Sequence, residues 1–274
     1  MRVRDRVAIG WIDGGQVDGL FALSMLNLFT SRSSRISTVV RVGGSLLSRQ
    51  RNEVVQSFLD NGTAEWLFFI DTDEQIDPEA FDKIIDAAHD KDRPVVAGLY
   101  FGQWPGLAEN GYPPVTPMIM RKNETGRYNP VWDFPDDAVI QVDAAGTGAL
   151  LIHRSVLERI RESSNASAMK DHEQGRWCWF RDMPVAGDWL GEDIFFCRRV
   201  RDMGIPIVAA TGARLSHHKE YWLSDAQYVK PEEAIVVEQV DEERDEATAA
   251  EIELRKKVRG AARVDRAVDH RVTR

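Results

Sequence analysis

Cysteine is nearly absent from this chain: Cys178 and Cys197 are the only two in 274 residues. Two thiols cannot staple a domain of this size, so a disulfide framework is excluded and a reducing compartment is the simpler expectation. Long apolar runs are missing as well. No segment approaches the roughly 20 apolar residues of a membrane helix. The opening MRVRDRVAIGW is basic but has no apolar stretch of signal-peptide length. A soluble, cytoplasmic protein is the expectation. Positive charge is in deficit, with 35 Lys and Arg against 44 Asp and Glu and a net charge of −9. That disfavours a nucleic-acid binder driven by phosphate neutralisation. Two nucleotide signatures are lacking: no GxGxxG follows the first strand-like segment, and no GxxxxGK(S/T) occurs anywhere. The standard dinucleotide fingerprint and the P-loop are therefore both disfavoured, and any nucleotide must be held by another device.

The chain does have the means to build a core, being 43% hydrophobic and 29% charged, and its length fits one large domain or one domain with an appendage. Its organising stretch is Glu65 to Phe81, EWLFFIDTDEQIDPEAF. Trp66 to Ile70 form an unbroken apolar run. A run that short, bounded by polar residues, predicts a strand buried on both faces of a sheet. It ends in Asp71-Thr72-Asp73. Asp77 before Pro78 predicts an N-cap and a first helical residue, opening a helix through about Ala88. Two carboxylates thus stand at the C-terminal end of a central strand, the edge where open α/β sheets bind ligands. Acids at i and i+2 repel unless a cation or hydrogen-bond donors offset them. Hard divalent ions take such oxygens and keep positions open for water or substrate phosphates. A metal-plus-diphosphate site is the functional reading; a solvated turn that carries acids is the plain one. An EF-hand loop is excluded, because its fifth and sixth positions would be Gln75 and Ile76 instead of Asp or Asn followed by Gly.

Strand and helix alternate up to this stretch and beyond it. Arg6 to Ile12 reads as a strand, followed by the turn-like Asp13-Gly14-Gly15. A helix from about Val17 to Phe29 crowds Leu20, Phe21, Leu23, Ser24, Leu26 and Leu28 on one side. Ile36 to Val42 is a second strand closed by Gly43-Gly44, and a helix from about Leu46 to Leu59 carries Arg49, Arg51 and Asn52. After the motif strand and the Pro78 helix, Pro94 to Leu99 is a fourth strand. This alternation predicts a mostly parallel sheet wound with helices. From Phe101 to Tyr128, glycines and prolines break regular structure, and Trp104 and Tyr112 mark a functional loop. Val139 to Val142 reads as a strand leading into Ala144-Ala145-Gly146-Thr147-Gly148, where small residues let a ligand approach the backbone or simply allow a tight bend. Ala149 to Ile152 continues as strand and Arg154 to Arg161 as helix. Ser163 to Ala168 is loop-like.

A second chemical centre lies in WCWFRDMPVAGDWLGEDIFFCRR, Trp177 to Arg199. Gly191-Glu192-Asp193 precedes an amphipathic helix with Phe195, Phe196, Val200 and Met203 on its apolar face. Acids in a first turn also simply favour the helix dipole. Ile205 to Ala210 is a strand, and a short one from Ala213 ends in His217-His218-Lys219. Adjacent histidines on a strand point opposite ways, so one of the two faces a given site. Six of the eight tryptophans fall between Trp104 and Trp222, where they serve as core or as sugar-stacking faces. From about Pro231 the chain turns into charge blocks: residues 231–254 hold ten acids and one base, and 255–274 hold eight bases and two acids. That composition predicts a helical or disordered appendage able to pair its blocks within the chain or between subunits, or a solvated tail.

With both centres in view, the chain resembles a GT-A-type glycosyltransferase, similar to family 2, over about residues 5–222. The matching features are the first-strand loop, Arg51-Asn52 on the second helix, the strand ending in Asp71-Thr72-Asp73, the Gly146-Thr147-Gly148 turn, Gly191-Glu192-Asp193 opening a helix, and the late strand with histidine. The resemblance implies a GT-A-like catalytic domain over residues 1–230, with a nucleotide-binding half to about residue 100 and an acceptor-binding half after it, and 231–274 as the appendage. It implies that Asp73 ligates Mn²⁺ or Mg²⁺ on the donor diphosphate and that Asp71 belongs to the same metal site, contacting the donor ribose or a metal-bound water. His217 is the late metal ligand, with His218 the fallback. Asp193 is the general base and Glu192 its support. Arg51, Thr72, Gly146 and Gly148 contact the donor, and Asp13 lies near the base. A UDP-sugar is the expected donor and inversion the expected outcome; the acceptor is not named by the sequence. Two competing readings share the motif. One is a haloacid dehalogenase-like phosphatase that would use Asp71 as nucleophile, a family the apolar strand and Asp-x-Asp also resemble. The other is a nucleotidyltransferase on a similar sheet. A carbohydrate-binding protein without turnover is the non-enzymatic alternative.

Overall fold

The structure, a computed structural model, describes residues 6–44, 46–103, 115–163, 170–171, 176–185 and 188–219. The loop carrying Trp104 and Tyr112, most of the 163–168 loop, Trp222 and the charged blocks of 231–274 lie outside the described residues. Residues 1–220 group as one compact unit, and the described residues lie within it.

Its N-terminal half runs β1 (Val7–Asp13), α1 (Gly19–Ser31), β2 (Ile36–Gly43), α2 (Leu47–Asn61), β3 (Trp66–Ile70), β4 (Glu74–Gln75), α3 (Pro78–Ala87) and β5 (Val95–Leu99). Short strands follow: β6 (Phe101–Gln103), β7 (Val115–Pro117), β8 (Ile119–Lys122), β9 (Tyr128–Pro130), β10 (Val139–Val142) and β11 (Ala144–Ala145). The chain continues through β12 (Ala149–His153), α4 (Arg154–Ser163), β13 (Lys170–Asp171), β14 (Arg176–Trp177), β15 (Met183–Val185) and β16 (Asp188–Leu190), then α5 (Glu192–Asp202), β17 (Ile207–Arg214) and β18 (Ser216–His217).

A seven-stranded sheet in the order β10-β17-β5-β12-β3-β1-β2 forms the centre. Strands β1, β2, β3, β5 and β17 run one way, while β12 and β10 run against them. The mixed α/β class with a mostly parallel sheet is the one the alternation predicts. The apolar run of β3 lies between β1 and β12 with all five residues buried. Its side chains alternate. Trp66, Phe68 and Ile70 join Phe21, Met25 and Leu28 of α1 and Phe81 and Ile84 of α3 on one face. Leu67 and Phe69 join Val54 and Phe58 of α2, Leu157 of α4 and Phe196 of α5 on the other. A strand with helices on both faces has no polar side, hence WLFFI.

Local signals act as the sequence indicates. The Asp77 carboxylate accepts the Ala80 N–H at 2.7 Å and Pro78 occupies the first turn of α3. Helix α1 departs from expectation. Its leucines do not share one side: Phe21, Ser24, Met25 and Leu28 are buried, whereas Leu20, Leu23 and Leu26 are 50–59% exposed. The helix holds no charged residue, so periodicity alone could not choose between its two apolar stripes.

The parallel strands set the position of the site. The C-terminal ends of β1, β3, β5 and β17 and the N-terminal end of the reversed strand β12 all open on one edge of the sheet. Asp13, Asp71, Tyr100, Leu215 and Gly148 stand there in consequence.

Candidate functional site

The chain turns sharply after β3. The Asp71 N–H donates to the Gly148 carbonyl at 3.1 Å, and the Glu74 N–H donates back to the Asp71 carbonyl at 3.1 Å. The turn feeds β4, which pairs antiparallel with β18 so that His217 lies opposite Glu74. This pairing splits the two motif aspartates. Arg51 Nη2 reaches both Asp71 oxygens, at 3.1 and 3.2 Å. Asp73 Oδ2 instead meets His217 Nε2 at 3.1 Å and Lys219 Nζ at 2.9 Å. Burial works to raise the Asp73 carboxyl, but the hydrogen bonds and charges of His217 and Lys219 prevail and hold it well below the usual carboxylate range.

The sequence did not single out Glu74, yet it is the most buried acid of the turn, at 1% exposure. Neither of its carboxyl oxygens has a hydrogen-bond partner among the described residues. Burial, reinforced by the charges of Asp71 and Asp73, pushes this carboxyl up to about 9. One ligand atom each from Asp73, Glu74 and His217 lie within 4.8 Å of one another. His217 Nδ1 stands 2.7 Å from the Phe101 carbonyl oxygen and so donates to it. That leaves Nε2 as the ring nitrogen facing Asp73. A carbonyl behind the imidazole is a common support for a metal-ligating histidine. Two carboxylates and one imidazole are a donor set that could hold a divalent cation, and the unpartnered oxygens of Glu74 would accept one. His218 takes another direction: its Nδ1 pairs with Asp18 Oδ2 at 2.8 Å, and its N–H donates to the Asp73 carbonyl at 2.8 Å.

Arg51 joins this turn to the second centre. It is 3% exposed, and its Nη1 donates to Glu192 Oε1 while Nη2 holds Asp71. Burial raises the Glu192 carboxyl to about 7, with Arg51 acting in the opposite direction. Burial also raises Asp193, again opposed by Arg51. Asp193 Oδ1 accepts the Ile194 N–H at 2.7 Å. Arg51, expected to contact the donor, here bridges two acids from different elements.

The remaining candidates have protein partners. Tyr100 is buried beneath the Gly146-Thr147-Gly148 turn, and its hydroxyl oxygen accepts the Gly148 N–H at 3.3 Å. A Cβ on Gly146 would lie 1.9 Å from that hydroxyl, and one on Gly148 would lie 3.0 Å from Glu74 Oε1. Closeness to Tyr100 and Glu74 therefore requires these glycines whatever else approaches the turn. Asp13 is buried and held bidentately by Arg41, at 2.7 and 2.6 Å, with the Gly15 N–H at 2.8 Å. The Arg41 hydrogen bond keeps its carboxyl below the usual range. The Thr72 carbonyl accepts the Asp18 N–H at 3.1 Å, fastening the N-terminus of α1 to the motif turn. Cys197 is buried in the core and its thiol is pushed up to about 12 by burial, which removes it from nucleophilic chemistry.

No protein-family model matches this chain, and no curated protein matches it. Among solved structures it is similar to the protein A197 from STIV, at 16% identity and a TM-score of 0.44, over 80% of this chain and 97% of that one. It is also similar to GalNAc-T7 with UDP, GalNAc and Mn²⁺, at 10% identity and a TM-score of 0.46, over 79% of this chain and 44% of that one. Likenesses at these scores carry no argument, and the reading of the site rests on its own residues. Among the described residues no helix is long and apolar enough to cross a membrane.

Proposed function

We propose that this chain is a metal-dependent glycosyltransferase that moves a sugar from a nucleotide-sugar donor to an acceptor hydroxyl. The observation that carries the reading is the meeting, at one sheet edge, of an acid–histidine cluster able to hold a cation with Glu192 and Asp193, the former joined by Arg51 to Asp71 of the same turn. Asp73 and His217 would hold Mn²⁺ or Mg²⁺. The cation would supply positive charge to the donor diphosphate, whose departing oxygen gains negative charge as the sugar leaves. Asp193 takes the proton from the acceptor hydroxyl as it attacks. Its burial raises its basicity toward that of a useful general base. Glu192, held by Arg51, stiffens the first turn of α5 and keeps Asp193 in place. In-line attack inverts the anomeric configuration. A UDP-sugar is the donor we favour. The phosphatase alternative needs a free nucleophilic oxygen on Asp71, and both of those oxygens are engaged by Arg51.

The test is binding and slow hydrolysis across a nucleotide-sugar panel, with and without Mn²⁺. We expect one donor to release nucleoside diphosphate only with the metal, and Asp73→Ala to abolish the release. Asp193→Asn keeps donor binding and lowers transfer by about 10²–10⁴-fold, the usual weight of a general base. Transfer by Asp193→Asn at the wild-type rate removes that residue from the mechanism. Phosphate release from simple phosphoesters without any sugar acceptor turns the reading to a phosphatase.

A further inference from the structure

We propose that Glu74 is a direct ligand of the cation, so that the metal set is Asp73, Glu74 and His217 and Asp71 stands outside it. The inference deepens the reading above and rests on its metal site alone, not on the transfer chemistry.

Four observations point the same way. Glu74 is 1% exposed, and both its oxygens lack a hydrogen-bond partner among the described residues. A carboxyl left in that state is costly unless something fills the coordination its oxygens offer. The β4–β18 register puts Glu74 directly across from His217, with Glu74 Oε1 3.7 Å from His217 Nδ1. Residues opposite one another on an antiparallel pair point to the same side, so the pairing delivers an acid and an imidazole together. Third, His217 Nδ1 donates to the Phe101 carbonyl, which leaves Nε2, 3.1 Å from Asp73 Oδ2, as the ring nitrogen turned to the acids. A cation there would take the place of a proton between the imidazole and the carboxylate. Finally, Asp71 is engaged by another partner: one Arg51 nitrogen lies 3.1 and 3.2 Å from its two oxygens. Its charge is matched by a guanidinium that also serves Glu192.

The plain alternative is a neutral buried carboxylic acid with no role. Glu74→Gln separates the two, because glutamine keeps the shape and the neutral polarity but gives up the carboxylate. Mn²⁺ alone is titrated into the full-length chain, without donor, and the loss of the free-ion EPR signal is followed. Wild type is expected to bind. Glu74→Gln is expected to weaken Mn²⁺ affinity at least 100-fold, beyond the 10–100-fold typical of outer-shell changes. Asp71→Asn is expected to leave affinity within about threefold, since Asp71 takes no part. The imidazole nitrogen in the set also favours Mn²⁺ over Ca²⁺, a hard cation that takes oxygen ligands. Unchanged affinity in Glu74→Gln, or loss in Asp71→Asn as large as in Asp73→Asn, overturns the assignment. Should Glu74→Gln fail to fold, Glu74→Asp gives the same readout: one methylene shorter, it is expected to lose at least tenfold, and wild-type affinity there overturns the assignment too. Glu74-dependent Mn²⁺ binding without turnover of any nucleotide sugar sinks the transferase reading and leaves the ligand set standing. Metal-dependent turnover with an indifferent Glu74 does the reverse. A wild type that takes no divalent cation sinks both.

Discussion

At the scale of the residue, Glu74 gives the site a pH dependence whose sign is fixed. Its carboxyl is raised from 4.5 to about 9 in the folded, metal-free chain. Between those values the folded state holds a proton that the unfolded state has lost. The metal-free fold therefore loses stability from this group as pH rises from 4.5 toward 9, and keeps the contribution in full below 4.5. A cation that takes the carboxylate must expel that proton, so metal affinity rises with pH. We expect Mn²⁺ affinity to climb by up to about tenfold per pH unit between pH 6 and 8, the limit for release of one proton. Isothermal titration at three pH values, in buffers of different ionisation enthalpy, measures both the slope and the proton count. A flat profile would mean that Glu74 is already ionised or is not a ligand. In Glu74→Gln the part of the slope that comes from this proton disappears.

At the scale of the element, the joint between α2 and α4 holds the back of the sheet. Arg154, the first residue of α4, donates to the carbonyls of Phe58, Leu59, Gly62 and Ala64 at 2.7–3.3 Å. Its guanidinium also lies over the Phe58 ring at 4.3 Å from the centroid. The last carbonyls of a helix have no partners within it, and a cation there meets both their hydrogen-bonding need and the negative end of the helix dipole. One side chain thus closes α2 and starts α4. We expect Arg154→Met to destabilise the fold by about 2–3 kcal/mol, as charged hydrogen bonds are lost and carbonyls are left unpaired. Urea unfolding measures this, and a change below about 0.5 kcal/mol would show that water replaces the guanidinium freely. Arg154→Lys recovers only part, because an ammonium cannot span four carbonyls in a plane. In the sequence this residue was legible only as the start of a helix. The partners that give it weight lie 90 to 96 positions earlier and are brought to it by the β3–β12 pairing.

At the scale of the molecule, the sheet and its edge were legible because they rest on local signals. The alternation of strand and helix, the five-residue apolar run before Asp71 and the Asp77-Pro78 cap all lie within short windows. Glu74, Arg51 and His217 were harder to read for the opposite reason. Glu74 sits in the polar run DEQID, and its burial comes from a strand about 140 positions later. Arg51 was visible as a basic residue on a helix, but its bridge joins Asp71 to Glu192, 141 positions away. Strand parity said that one of two histidines would face the site; only the β4–β18 register selects which. Long-range closure of this kind would make the proposed cation a structural bolt as well as a chemical one. A metal on Asp73, Glu74 and His217 joins the turn after β3 to the strand that follows β17, linking the N-terminal and C-terminal parts of the 1–220 unit. If Mn²⁺ binds as proposed, it meets no preformed set in the unfolded chain, so saturation stabilises the folded state by mass action. At 100 times its dissociation constant this is worth about 2.7 kcal/mol, and thermal unfolding should move up by roughly 5–10 °C. Asp73→Asn is expected to abolish the shift, while Asp71→Asn, though it disturbs the Arg51 bridge and lowers the starting stability, is expected to retain it. A wild-type melting temperature that ignores saturating Mn²⁺ would mean that the three residues close on one another without a metal, with Lys219 as the cation that balances Asp73.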